Sequence, residues 1–295
     1  MPTGMSPGYT ISSEEAPMQI FEGIIDIHAH ASPDKTPRSL DVLELARAYR
    51  DRGVRGVVLM NHSDQTAGLA YLVKKQFPEL EVFGGIVLNH LIGGMNQHAV
   101  EHFTRIEEGF GKIVYMPTTS SEHEVRQGEN RSASFVPVSH GGKLLPEVLD
   151  MLDLIAGLGL VLSTGHSSPV EIIMLIEAAR ARDIQQILVT NPMYWAIAMT
   201  TGQMKEAADL GAYLEFIYYS VGRPGAIVTM QDYAAAIDTI GPGRCILSSC
   251  GGQAWLPVHA YAWSELLAGM RENGLSDEDI DRMSKTNPAR LLGLE

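Results

Sequence analysis

His28 and His30 close an apolar run, Ile24-Ile25-Asp26-Ile27-His28-Ala29-His30. In a strand, successive side chains alternate between faces, so two histidines two residues apart project side by side. Imidazoles placed this way at a strand end can grip one divalent ion. Other apolar runs also end in histidine, at His62, His90 and His166. A single strand-end histidine is commonly a hydrogen-bonded structural residue. Five converging on one end of a sheet point instead to a metal or proton-transfer site.

Such convergence needs elements that bring distant strand ends together. Eight β-rich runs recur: Ile24–His30, Gly56–His62, Val82–His90, Lys112–Thr118, Leu160–His166, Gln186–Asn191, Ala212–Tyr218 and Cys245–Cys250. Helical patterns lie between them, among them Leu40–Arg52, Leu144–Leu158, Pro169–Arg182, Thr201–Leu210 and Met230–Ile240, with apolar residues spaced by three and four. Eight strand-then-helix units in 295 residues predict an α/β fold, a single-domain (β/α)8 TIM barrel over residues 21–295. A doubly wound open sheet is the competing arrangement, but no Gly-x-Gly-x-x-Gly turn follows the first run.

Local signals sharpen some boundaries. Ser168-Pro169-Val170-Glu171 reads as a capping box with proline at the first helical position, which puts His166 just before a helix. Ser276 opens a later helix, and Asn287 is expected to cap the last. The stretch 119–143 is polar and Gly/Ser-rich and carries His123, Arg126, Arg131 and His140. After a fourth barrel strand it would lie over the active face, as a lid or specificity loop.

Composition narrows the function classes. The net charge of -13, with Lys and Arg few and unclustered, argues against nucleic acid or an anionic membrane surface as partner and leaves a small-molecule substrate. Assembly into a homo-oligomer is compatible with the sequence. Cys245 and Cys250 are the only cysteines, which fits a reducing cytoplasm rather than a disulfide framework. No apolar run is long enough to span a bilayer, and residues 1–20, with three prolines and acids, read as an N-terminal arm rather than a signal peptide.

Several pieces together resemble the amidohydrolase superfamily of metal-dependent barrel hydrolases, and within it an uncharacterised amidohydrolase-like group of similar length. They are Asp26-Ile27-His28-Ala29-His30, Leu59-Met60-Asn61-His62, Gly84–Asn89, Val114–Thr118, Thr164-Gly165-His166, Leu188–Pro192 and Asn287–Gly293. The resemblance implies a divalent metal, zinc foremost, held by His28, His30 and His166. Three departures accompany it. Asn191 stands where the superfamily has a sixth-strand histidine, Cys250 where it has an eighth-strand aspartate, and Pro117-Thr118 where a bridging Lys or Glu would be. A carbamate-bridged pair of metals is therefore not expected.

These departures leave the reaction open. Hydrolysis at one metal needs an activated water and a base, the role of the missing aspartate. Cys250 could ligate zinc as a thiolate, closing a His3Cys set, or act as nucleophile or acid, or be a small residue in a site that has lost its metal. The expected catalytic groups are Cys250, Asn191, His62 and His90. Tyr194, Trp195, Tyr218 (or Tyr219), Arg223, Trp255 and His123 are expected to line the substrate site, with Arg223 as a carboxylate anchor. Hydrolysis of an amide, lactone or other ring bond is the most literal function. A lyase, decarboxylase or isomerase and a catalytically silent ligand-binding barrel are the alternatives. His98 and His102, although four apart, are expected on a helix surface, and Cys245 in the core.

Overall fold

Each apolar run becomes a parallel strand, and the interval after it folds back as one or more helices. The computed structural model describes residues 21–107 and 109–295; the arm expected at 1–20 lies outside them. The strands are β1 (Ile25–Ala29), β2 (Gly56–Leu59), β3 (Glu81–Val87), β4 (Gly111–Tyr115), β5 (Ser139–His140), β6 (Lys143–Leu144), β7 (Val161–Ser163), β8 (Ile187–Val189), β9 (Tyr213–Ile217) and β10 (Cys245–Ser248). β5 and β6 form a separate antiparallel hairpin. The other eight pair in parallel in the order β1-β2-β3-β4-β7-β8-β9-β10. Beyond the ladder, His30 N–H donates to Gly251 O at 3.0 Å, so the chain past β1 meets the chain past β10 and the ring closes. The expected (β/α)8 barrel is the observed fold.

The helices are α1 (Val42–Arg50), α2 (Ala67–Gln76), α3 (Gln97–Arg105), α4 (Glu122–Gln127), α5 (Pro146–Leu158), α6 (Pro169–Arg180), α7 (Thr201–Asp209), α8 (Tyr218–Gly222), α9 (Met230–Ile240), α10 (His259–Glu272), α11 (Asp277–Asp281) and α12 (Asn287–Leu292). Reciprocal capping boxes start four of them: Asp41/Glu44, Ser168/Glu171, Thr200/Gln203 and Thr229/Asp232. Each satisfies backbone N–H groups that a helix start otherwise leaves orphaned. Ser276 caps α11 as expected. Asn287 does not cap α12, because the preceding turn is already helical; it is buried and donates to Cys245 O at 2.7 Å and Pro242 O at 2.8 Å. No helix among the described residues is long and apolar enough to cross a membrane.

Strand alternation sorts side chains into two cores. Ile25, Ile27, Val58, Val87, Ile113, Tyr115 and Ile246 fill the barrel, with Leu291 and Leu292 of α12 packed against them. Ala29, Val57, Leu59, Leu162, Leu214 and Cys245 face the helix layer. Strict alternation from Ile25 and Ile27 would turn His28 and His30 outward. A bulge prevents this: Asp26 pairs with Val57 but Ala29 with Leu59, so β1 carries one extra residue. Such an insertion re-aims the side chains that follow. His28 and His30 consequently enter the barrel mouth, while Asp26 stays in the wall.

The segment expected as a long loop over 119–143 is more ordered than its composition suggests. Ser121 Oγ accepts from Glu124 N–H and starts α4, and the β5–β6 hairpin follows. A helix of this length has too few turns to leave an apolar period in the sequence.

Candidate functional site

Three side chains converge at the closed seam of the ring. The ligand-capable atoms of His28, His30 and Cys250 all lie within 4.8 Å of one another, and all three residues are buried. His30 Nε2 and Cys250 Sγ are 3.7 Å apart. His28 Nε2 is buried without a hydrogen-bond partner among the described residues. Gln253 Nε2 lies 4.0 Å from the Cys250 sulfur.

Each histidine is oriented through its other ring nitrogen. His28 Nδ1 donates to the Glu215 carboxylate, at 3.1 and 3.2 Å from its two oxygens. His30 Nδ1 donates to Met60 O at 2.9 Å. His62 Nδ1 pairs with Thr118 Oγ1 at 2.8 Å, and His166 Nδ1 with Glu124 of α4. An acceptor at Nδ1 fixes the tautomer and turns Nε2 toward the site, as metal-ligating histidines require.

The rings form a row. His28 and His30 are 5.1 Å apart by centroid, His30 and His62 5.2 Å, His62 and His166 6.3 Å, and His166 and Tyr194 5.1 Å. His166 therefore stands beyond His62 and does not join the group of three formed by His28, His30 and Cys250. Of the expected ligand set, the structure groups the His-x-His pair with Cys250 and places His166 further along the wall.

The electrostatics divide these histidines. Burial works to lower the pKa of His28, but its interactions with Cys250 and Glu215 overcome that and hold the pKa well above its ordinary range. His30 is held well below its ordinary range by burial, then by the charges of His28, Arg38 and His62. His62 is likewise lowered by burial, then by His166 and His28. Like charges this close cannot all be carried, so the cluster shares few protons.

Cys250 holds its place at a backbone cost. Its φ is +43°, in the left-handed region, as is that of Asn191 at +44°. Asparagine tolerates that region; cysteine does so with strain of order 1 kcal/mol or more. Asp26 braces this turn. Its carboxylate accepts from Tyr49 Oη at 2.5 Å, Ser249 Oγ at 2.5 Å, Trp263 Nε1 at 3.1 Å, and the backbone N–H groups of His28 and Ser249, each at 3.2 Å. Ser249 Oγ accepts in turn from Gly251 N–H at 3.0 Å. Gly252 follows at φ +111°, where a Cβ would come within 1.9 Å of His30 O, so only glycine fits.

The remaining expected residues separate. Asn191 is buried, and its Oδ1 accepts from Ser220 Oγ at 3.1 Å. Tyr194 and Trp195 adjoin each other at 5.5 Å, and Tyr194 touches Tyr219 at 6.4 Å. Trp255, exposed, meets Tyr219 at 6.0 Å. Tyr218 instead packs into the helix layer, because α8 turns consecutive residues about 100° apart and only one of the two tyrosines can face the mouth. His90 lies exposed in a 3-10 turn; its neighbour Asn89 turns inward and bonds His62 O and Thr118. His123 lines a separate cleft of about 310 Å³ with Arg126, His140 and Glu171. His98 and His102 are exposed and Cys245 is core, as expected.

Glu215, Asp26 and Glu124 are the site residues that sequence reasoning missed. The first two carried a signal, a lone acid inside an apolar strand (Tyr-Leu-Glu-Phe-Ile and Ile-Ile-Asp-Ile). Buried acids are seldom unpaired, so each implies a partner. Glu124 sits in a polar stretch that offers no such contrast.

A family model matches residues 23–215, which include the His-x-His pair, Glu124, His166 and Glu215. The chain belongs to the family of unknown function DUF6282. The matched span of this DUF6282 chain ends before Cys250. No curated protein matches it by sequence. Solved structures share its fold. An amidohydrolase from Pseudomonas aeruginosa is 12% identical, with 93% of this chain and 97% of that chain covered and a TM-score of 0.64. An amidohydrolase from Burkholderia multivorans with bound zinc is 11% identical, covering 92% and 99%, at 0.60. The 2,6-dihydroxybenzoate decarboxylase from Rhizobium is 12% identical, covering 92% and 99%, at 0.54. At these identities the likeness is one of fold.

Proposed function

We propose that this DUF6282 barrel is a metal-dependent enzyme of the amidohydrolase kind, acting on a small organic substrate. The observation that carries the reading is the pairing of an orphaned, buried His28 Nε2 with His30 and Cys250, both imidazoles being tied through Nδ1. Two imidazoles and a thiolate suit zinc. Ordinary zinc bond lengths in a tetrahedron put nitrogen and sulfur about 3.6 Å apart, which fits the 3.7 Å between His30 Nε2 and Cys250 Sγ. Three protein donors also leave a fourth position for water or substrate, the arrangement of catalytic rather than structural zinc.

Bound there, the ion would supply Lewis acidity to a carbonyl, carboxylate or water. The chain supplies the rest. Glu215 keeps the His28 proton on Nδ1, and Met60 O does the same for His30. His62, held at Nδ1 by Thr118, is the imidazole beside His30 that would accept a proton. His166, fixed by Glu124, stands next in the row to orient substrate or pass a proton. Burial of the cluster excludes bulk water from these groups.

Hydrolysis of an amide, lactone or related ring bond is the first reading, with His62 in the role of the missing carboxylate base. A non-hydrolytic lyase or decarboxylase is the second. It is favoured by the engagement of both carboxylates beside the histidines, Glu215 and Glu124, with an Nδ1, which leaves neither free to deprotonate water. Metal analysis of protein purified without added metal tests the common core. One equivalent of metal, lost in His28→Ala with folding retained, is expected; metal-free wild type that folds and resists loading would overturn it. Assay of a lactone panel against carbon dioxide release from aryl carboxylates then separates the reactions, and inactivity of loaded protein on both panels would favour a ligand-binding barrel.

A further inference from the structure

Arg223 follows α8, and its guanidinium lies over the Tyr219 ring at 5.7 Å. Its Nε is buried with no hydrogen-bond partner among the described residues. Among the described residues no carboxylate forms an ion pair with it, although the chain holds 35 acids against 22 Lys and Arg. Burying a charged donor without an acceptor costs more than a typical net hydrogen bond returns, so the position implies a missing acceptor. The guanidinium carries its N–H donors in a planar fork, and a fork with Nε–H unmet suits a planar two-oxygen acceptor.

The surroundings define what carries that acceptor. Tyr219 joins Arg223 to Tyr194 at 6.4 Å, and Tyr194 stands 5.1 Å from His166, in the row that leads to His30. Exposed Trp255 closes on Tyr219 from the rim at 6.0 Å. Aromatic faces of this kind favour a flat, polarisable body over an aliphatic or heavily hydroxylated one. We propose that Arg223, Tyr219, Tyr194 and Trp255 form a subsite for a carboxylate carried on a planar unsaturated body. The inference deepens the reading above, since it places that body along the wall leading to the His28–His30–Cys250 cluster. It does not need the metal to hold.

Benzoate and its neutral isostere benzamide are the probes, titrated against metal-loaded protein and against His28→Ala with tryptophan fluorescence as readout. Benzoate is expected to bind both proteins. Arg223→Gln should weaken it by about ten-fold or more, the loss expected of a charge-assisted hydrogen bond. Arg223→Lys, which keeps the charge but not the fork, should fall between. Benzamide should bind weakly and ignore both substitutions. Unchanged benzoate affinity in Arg223→Gln would overturn the subsite and leave Nε to an ordered water. So would binding that vanishes in His28→Ala yet persists in Arg223→Gln, since benzoate would then be a ligand of the metal alone. Retained binding in a His28→Ala protein that never held metal would support the subsite while the metal reading fails.

Discussion

Replacing Asp26 with asparagine removes one charge and turns one acceptor into a donor, at a place where every contact donates to the carboxylate. The backbone N–H groups of His28 and Ser249 can still be met by the amide oxygen. The new NH2 then faces Tyr49 Oη, Ser249 Oγ and Trp263 Nε1. The two hydroxyls can rotate to accept; the indole N–H cannot. One buried donor is orphaned, worth about 1–3 kcal/mol, and the four charge-assisted bonds that remain become neutral ones, each losing about 1 kcal/mol. The expected destabilisation is about 5–7 kcal/mol, comparable to a typical domain's 5–15 kcal/mol. For a chain of this size that corresponds to roughly 10–20 °C in Tm. Urea unfolding of Asp26→Asn, Trp263→Phe and the double variant checks the reasoning. Trp263→Phe removes the orphaned donor, so the double variant should be more stable than additivity requires by about 1–2 kcal/mol. A loss below about 1 kcal/mol for Asp26→Asn, or strict additivity, would refute the bracing role.

Two further outcomes follow from the same geometry. Glu124→Ala should leave His166 as a mixture of tautomers by nitrogen NMR and lower turnover by about 10–100-fold, with little change in Tm because the pair lies at the partly open mouth. Stability should also fall in acid through His259. Burial lowers its folded pKa to about 4, whereas unfolded histidine titrates near 6.5. The unfolded state therefore takes up the proton first. The contribution of about 3 kcal/mol is complete above about pH 6.5 and is lost as pH falls toward 4. Buried His30 and His62 act in the same direction and His28 in the opposite one. Comparing urea midpoints at pH 7 and pH 4.5, His259→Gln should show a smaller drop than wild type.

The barrel was legible because its signals are local. Period-two apolar runs, helix caps such as Ser168/Glu171, and histidines at strand ends each depend on a few adjacent residues. The His28–His30 pair was legible for the same reason, though the bulge that turns it inward was not. What escaped depends on partners far apart in the chain. Glu215 meets His28 across 187 residues, and Asp26 meets Trp263 across 237. Neither contact leaves a spacing to read. Grouping around the ring was equally hidden: Cys250 and His166 both close strands, yet only closure of β10 against β1 sets the sulfur beside His30 while His62 intervenes before His166. Tyr218 and Tyr219 are neighbours in sequence and diverge only because α8 begins at that point.

Cobalt substitution tests the Cys250 ligand most directly. Protein loaded with Co(II) should hold one equivalent and show a near-ultraviolet thiolate-to-cobalt charge-transfer band. Cys250→Ser should abolish the band, and His28→Ala should abolish binding, while His166→Ala keeps both. A loaded wild type without the band, whose metal is released by His166→Ala but not by Cys250→Ser, would contradict the His28–His30–Cys250 site.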